Sequence, residues 1–302
     1  MKKIICVLLS VVTAVVMFSA CSADKEAKSE NADFSLKFTW DSHYSDVSEG
    51  AKTAYENAAQ AIVNGDESVS YSSQISDEVT SLLYTSFPLI SLVDSIDTAS
   101  GGNSVTITYK NDKEKHAELV STFSNKVKEI MEQCGYGSVS SNEYVVNVYH
   151  YVATNVAYDS NVTDTYSAIT TGKGMSAAIS GMFEYLLLQG GVEACHMVGK
   201  DAAGTPWFFS RCKLGDTWYN FDIAAESAMN DGNGLTGFAM TDKEIVSTGV
   251  QKGFTYSDQS EPTAVDMKEN KYSVLRTCQS FEIKSDVITA KLYDGETKEI
   301  SM

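Results

Sequence analysis

Apolar positions along this chain of 302 residues recur at helical spacing in some stretches and alternate in others. Each spacing predicts a different element. From Glu49 to Val63, a helical face carries Ala51, Tyr55, Ala58, Ala59, Ile62 and Val63, and Asn64-Gly65 stops it. A strand is expected near Val69 to Tyr71, then a short helix over Ser76 to Tyr84 that ends before Pro88. After the turn Gly101-Gly102-Asn103, Ser104 to Tyr109 alternates Val105, Ile107 and Tyr109 with polar residues, as a half-buried strand does. Lys113 to Cys134 reads as the longest helix, with Leu119, Phe123, Val127, Ile130 and Met131 on one face. Ser140 and Glu143 have capping-box spacing, and the helix they open carries Val145, Val148, Tyr149 and Val152.

The next helix is predicted from Ser176 to Gln189, with Ile179, Met182, Phe183, Leu186 and Leu187 as its stripe. Its first turns hold only small residues beside that stripe, Ser176, Ala177, Ala178, Ser180 and Gly181, which suits close approach to neighbouring backbone. Gly190-Gly191 ends it. Strands are then expected over Val192 to Val198, Trp207 to Leu214 and Thr217 to Ile223. Short turns at Gly199 to Gly204 and at Gly215-Asp216 make them an antiparallel meander. A buried helix followed by such a meander is an α+β arrangement. From about Pro262 the pattern becomes loop and short strands through Val274, Phe281, Ile283, Val287, Ile288 and Leu292, so a small β-rich C-terminal region is expected.

The first residues read as a targeting segment. Lys2 and Lys3 precede an apolar run from Ile4 to Phe18. That run is shorter than the ~20 residues a bilayer-spanning helix needs, and it suits a secretory leader. Phe18-Ser19-Ala20-Cys21 resembles a bacterial lipobox, which makes Cys21 the expected lipid attachment site. The polar stretch after it reads as a flexible tether. Forty acidic residues against 23 basic ones give a net charge of −17. A field of that sign repels phosphate backbones and anionic headgroups, so nucleic acid is not an expected partner, and membrane contact is expected through the lipid. The reading by segments is leader 1–20, tether 21–33, an N-terminal α/β part 34–139, a core 140–250 and a β-rich extension 251–302. Cys134, Cys195, Cys212 and Cys278 show no metal-ligand spacing and no C-x-x-C. Cys195 and Cys212 lie on successive strands and could form either a disulfide or two core thiols.

Several words of sequence, in order, resemble the bacterial transglutaminase-like family, which is related to papain. Tyr149-His150-Tyr151-Val152 followed by Asn155-Val156-Ala157-Tyr158-Asp159 is similar to the family's helix and its "NVxYD" ending. Tyr166-Ser167-Ala168, then Gly172-Lys173-Gly174, resembles its approach to the nucleophile. Trp218-Tyr219 with Asp222 matches a "WYxxD" strand, and Phe238 to Glu244 resembles the segment after it. The match covers about 140–245 well and 50–139 by element order. It implies a fold of helices packed on an antiparallel meander, as in cysteine proteases.

In such relatives a Cys at a helix N-terminus, a His and an Asp form the active site. The helix dipole and imidazolium stabilise the thiolate, and the carboxylate orients the ring. The matching positions here read Ser176, Thr205 and Asp222. A serine hydroxyl needs a general base, and threonine cannot take a proton near neutral pH. The expectation is therefore a degenerate triad, because losing one member typically costs ~10⁴ in rate. His196 is the nearest substitute base, displaced by ~10 Å along the sheet at ~3.3 Å per residue. His43, His116 and His150 read as surface or helix-face residues, and Glu226 as a carboxylate near the cleft. Tyr166, Met175, Ser176, Trp207 and Trp218 are the candidate cleft residues, with aromatic walls suited to a peptide, glycan or protein partner outside the cell. No cofactor is expected and no metal motif is present. The alternative is an acyl-transferase or peptidase using Ser176 with a base the sequence does not reveal.

Overall fold

The computed structural model describes residues 34–98, 102–200, 203–229, 234–247, 255–256 and 270–302. The chain separates into a unit ending at Phe34 and a unit Ser35–Met302, and the second is described here. The leader, Cys21 and the tether lie outside the described residues, as does most of 251–269. Among the described residues no helix is long and apolar enough to cross a membrane.

The first part is α1 (Glu49–Asn64), β1 (Ser68–Ser70), α2 (Ser76–Ser86), β2 (Val93–Thr98), β3 (Ser104–Tyr109) and α3 (Lys113–Gln133). Ser48 caps α1 by accepting from Ala51 N at 3.2 Å, and Gly65 ends it in the left-handed conformation that costs glycine little. The strands form an antiparallel sheet in the order β1-β3-β2. The sequence reading lacks β2, whose Asp94 and Asp97 break the apolar alternation.

The core holds α4 (Ser141–Asn155), β4 (Ala157–Tyr158), α5 (Thr165–Thr171), β5 (Lys173–Gly174), α6 (Ser176–Gln189), β6 (Ala194–Lys200), β7 (Pro206–Leu214), β8 (Thr217–Phe221), α7 (Ile223–Met229), α8 (Asp242–Ser247) and β9 (Thr255–Tyr256). Ser140 caps α4 by accepting from Glu143 N at 3.1 Å, and its hydroxyl donates to Asp286. A complete capping box belongs to α8 instead. There Thr241 Oγ1 accepts from Glu244 N at 3.1 Å and Glu244 Oε2 accepts from Thr241 N at 2.8 Å.

The meander is an antiparallel sheet in the order β8-β7-β6-β9, with α6 packed on it. Side chains alternate across the sheet, so His196 and Ser210 face α6, while Cys195, Met197 and Phe209 join Met240 and Ile245 in a buried cluster. Register also decides the cysteine question. Cys195 pairs with Arg211 and Ala194 with Cys212, so the two thiols point to opposite faces, and all four described cysteines are free. Tyr149, Phe183, Phe221 and Phe238 form the aromatic centre of the core. The chain ends in a separate antiparallel sheet of β10 (Cys278–Lys284), β11 (Val287–Leu292) and β12 (Thr297–Ser301), the expected β-rich region.

Candidate functional site

The site is assembled around the start of α6. Asp164 Oδ1 caps α5 by accepting from Ser167 N at 2.8 Å, and Gly172 ends that helix in the left-handed region. The chain then runs parallel to β4, with Ala157 beside Lys173 and Tyr158 beside Gly174. The two sequence words around Asn155–Asp159 and Gly172–Gly174 are thus physically joined. Met175 N donates to Val162 O at 2.8 Å, which fixes the entry to α6 at Ser176. The small residues of α6 do what their size suggested. A Cβ at Gly181 would collide with Thr165 Oγ1 on α5.

Ser176 is 1 % exposed, and its Oγ accepts from Phe208 N at 3.3 Å. It begins a polar ladder along the face of α6 that meets the sheet. Ser180 O accepts from Ser210 Oγ at 3.0 Å, and Glu184 Oε2 faces His196 Nδ1 at 3.5 Å. Ser176 and Glu184 are eight residues apart, about 12 Å of helix, so His196 is anchored at the far end of the ladder.

Asp222 ends β8 and starts α7, where its Oδ1 accepts from Ala225 N at 3.2 Å. The same oxygen accepts from Trp207 Nε1 at 3.0 Å. An indole N–H thus bonds the carboxyl that, in the resemblance, orients a catalytic imidazole. Thr205 lies two residues earlier, exposed at the hairpin end just before β7. The ring that bonds Asp222 is thus Trp207, two residues after Thr205. Trp207 also stacks on Tyr158, centroids 6.1 Å apart at 13°. Indole can donate and has no basic nitrogen. Burial pushes the Asp222 pKa up to about 6 against the smaller opposing pull of the Trp207 and Ala225 donors.

The other cleft candidates meet different partners. Tyr166 stacks on Phe123 of α3, centroids 5.6 Å apart. Trp218 packs with Trp207 against the Cys195–Met240 cluster, with Lys213 Nζ 5.6 Å from its ring centroid. Met175 is half-buried at the start of α6. His116 is buried, not a surface residue, with Nε2 2.6 Å from Ile62 O. His150 sits edge-on to Phe281. Glu226 accepts from Tyr149 Oη and Gly237 N, both at 2.9 Å, and so anchors the loop after α7.

Trp207→Phe tests the carboxyl–indole bond. It keeps a ring against Tyr158 and removes the donor that lowers the Asp222 pKa. Asp222 is expected to titrate above 6, and the fold to lose about 1–3 kcal/mol at pH 8, where the carboxylate would be buried with one donor fewer. Urea unfolding at pH 5 and pH 8 measures this, and an unchanged difference between the two pH values would show that the bond contributes nothing.

No protein-family profile and no curated protein matches the chain. Solved structures do overlay on it. One is described as the crystal structure of a TGase, with 16 % identity over 51 % of this chain and 48 % of that one and a TM-score of 0.31. A second is a protein from Cytophaga hutchinsonii proposed as a cysteine protease, with 13 % identity over 44 % of this chain and 61 % of that one and a TM-score of 0.29. A third is a protein from Parabacteroides distasonis proposed as a protease, with 10 % identity over 42 % of this chain and 35 % of that one and a TM-score of 0.27. The chain spans about half the length of the first. At these scores the overlays carry no argument about activity. The chain is an α+β protein with a TGase and two proteins proposed as proteases among the solved structures similar to it.

Proposed function

We propose that this protein is a non-catalytic binding module on a transglutaminase-like core. In this reading it is exported, held at the cell surface by a lipid on Cys21, and takes an extracellular peptide, glycan or protein partner. One observation carries the non-catalytic part. Ser176 Oγ is buried against Phe208 N, and the ring bonded to Asp222 is the indole of Trp207. Nucleophilic catalysis by serine needs a base in hydrogen-bond reach of the hydroxyl and room for an acyl group. Here the hydroxyl meets a backbone amide that can only donate. The residues of the triad-like positions work as a clasp between α6, β7 and α7. Tyr158 stacked on Trp207 leaves an exposed aromatic face beside it, a surface suited to a partner's apolar or sugar ring.

The test compares the purified protein with Ser176→Ala in glutamine-donor amine incorporation and peptide hydrolysis from pH 5 to pH 9. The expected result is no turnover above background in either. Ser176→Ala is expected to lose about 1 kcal/mol of stability with its hydrogen bond. Turnover by the parent that disappears in Ser176→Ala would overturn the reading and establish a serine enzyme.

A further inference from the structure

A second cluster of chemistry-bearing groups lies away from Ser176, on the wall of a cavity of about 670 Å³. Asp41, His43 and Glu184 line that cavity. A carboxylate oxygen of Asp41, a ring nitrogen of His43 and the sulfur of Cys195 all lie within 4.8 Å of one another. Asp41 is 2 % exposed, Glu184 3 % and Cys195 0 %.

We propose that Asp41, His43 and Cys195 form a binding site for a zinc-class divalent metal ion, with the Glu184 carboxyl lying beside Asp41. The donors are one oxygen, one imidazole nitrogen and one sulfur. That mixture suits borderline-soft zinc and does not suit calcium or magnesium, which prefer oxygen. Zinc ligand bonds of ~2.0–2.3 Å put neighbouring tetrahedral donors roughly 3.5 Å apart. Shifts of about an ångström in side-chain positions therefore close the site.

The supports around the donors are already in place. Asp41 Oδ2 accepts from His196 N at 2.8 Å, and its Oδ1 accepts from His43 N at 2.7 Å. Asp41 N donates to Ser86 Oγ at 2.9 Å. His43 Nδ1 is 2.9 Å from Asp41 Oδ1, so the imidazole and the carboxylate are held against each other. Hydrogen bonds of this kind hold ligands in orientation.

Asp41 alone has a plainer role, since it caps the short turn Ser42–Tyr44 and satisfies an amide of β6. That role does not account for Glu184. Its carboxyl is buried against Asp41, with which it shares a hydrogen bond, and its Oε2 faces His196 Nδ1. Two adjacent buried carboxyls are costly when both are charged; burial and Asp41 push the Glu184 pKa up so that a proton can join them, and a bound cation would take that proton's place. The cavity supplies the route in. On binding, the Cys195 S–H bond is replaced by a sulfur–metal bond, and its proton leaves to water.

The test is equilibrium dialysis of the purified protein against Zn²⁺, with Ca²⁺ as the comparison, read by elemental analysis and thermal shift. One Zn²⁺ per chain, a raised Tm and no Ca²⁺ retained are expected. Cys195→Ser and His43→Gln are each expected to lower zinc affinity at least 100-fold and Glu184→Gln about 10-fold. Cys212→Ser, which changes the thiol on the opposite face of the sheet, is expected to leave it unchanged. Cys195→Ser could fail to fold, so Co²⁺ added to the unsubstituted protein gives an independent reading through a thiolate-to-cobalt charge-transfer band. Retention well below one Zn²⁺ per chain, cobalt binding without that band, or zinc binding equally strong in Cys195→Ser would each overturn the proposal.

Discussion

Gly237→Ala is expected to destabilise the protein by about 3 kcal/mol or more, at the top of the usual range for forcing a methyl group into a packed interior. A Cβ at this position would overlap the carbonyl oxygen of Asp222 and stand 3.0 Å from Tyr149 Oη. The obstacle is backbone, which has no rotamer to change. It is also pinned on every side. Asp222 N donates to Gly237 O at 2.9 Å, and Gly237 N donates to Glu226 Oε2 at 2.9 Å. Three residues on, Asn220 and Met240 exchange backbone bonds of 2.8 and 2.7 Å. The segment after α7 is thereby stitched to the end of β8, and relief of the clash would pull Asp222 away from Trp207. Gly50, in the first turn of α1, is the control, because a Cβ added there would meet nothing within 4 Å. Gly50→Ala is expected to be neutral or slightly stabilising, since alanine is the better helix former. Urea midpoints measure both, and equal midpoints for the two variants would mean that the packing around Gly237 is loose.

Asp222→Asn is expected to stabilise the protein at neutral pH by up to about 3 kcal/mol, the linkage value of a carboxyl whose pKa rises from 3.8 to about 6 on folding. Between those values the folded protein holds a proton that the unfolded chain has already lost. Unfolding therefore releases a proton, and stability falls as pH rises from about 4 to about 6. The stabilising contribution is whole below pH 4 and gone above pH 6. Asparagine offers the same oxygen to Trp207 Nε1 and Ala225 N and carries no charge. The variant and parent should match at pH 4 and separate by pH 7.5. A difference that is constant across this range would refute the assigned shift. An enzyme that needs this carboxylate would be stabilised and inactivated by the same substitution, whereas the proposed binding module would keep its partner. The pH profile and a binding measurement together thus separate a structural clasp from a catalytic residue.

Taken together, the two substitutions describe the triad-like positions as a fold element. In an active relative of the kind the sequence resembles, an imidazolium would neutralise the carboxylate and hold its pKa down. Here Asp222 Oδ1 accepts from Trp207 Nε1 and Ala225 N, and burial pushes its pKa up to about 6. The cavity with Asp41, His43 and Glu184 is a different matter, because it brings Asp41 and His43 close to the Cys195 sulfur.

The sequence alone determined most of the elements. Helices α1, α3, α4 and α6 and strand β3 come within a few residues of their expected bounds, because their signals are local: a 3.6 or 2-residue period, a capping residue and a terminating glycine or asparagine. The order of the core elements and the position of Ser176 at the start of α6 were equally legible. Where local signals conflicted, the reading failed. Thr217 to Ile223 reads as one strand, yet Asp222 turns the chain into α7 by capping it. Only the tertiary structure decided what each side chain meets. Trp207, two residues after the expected Thr205, reaches Asp222 because strand alternation and the hairpin end set its direction. Cys195 and Cys212 are kept apart by a one-residue offset in register. Asp41 and His43 meet Glu184 and Cys195 across more than 140 residues of chain, a proximity with no periodic or spacing signature, since it arises only when the N-terminal segment packs along the edge of β6.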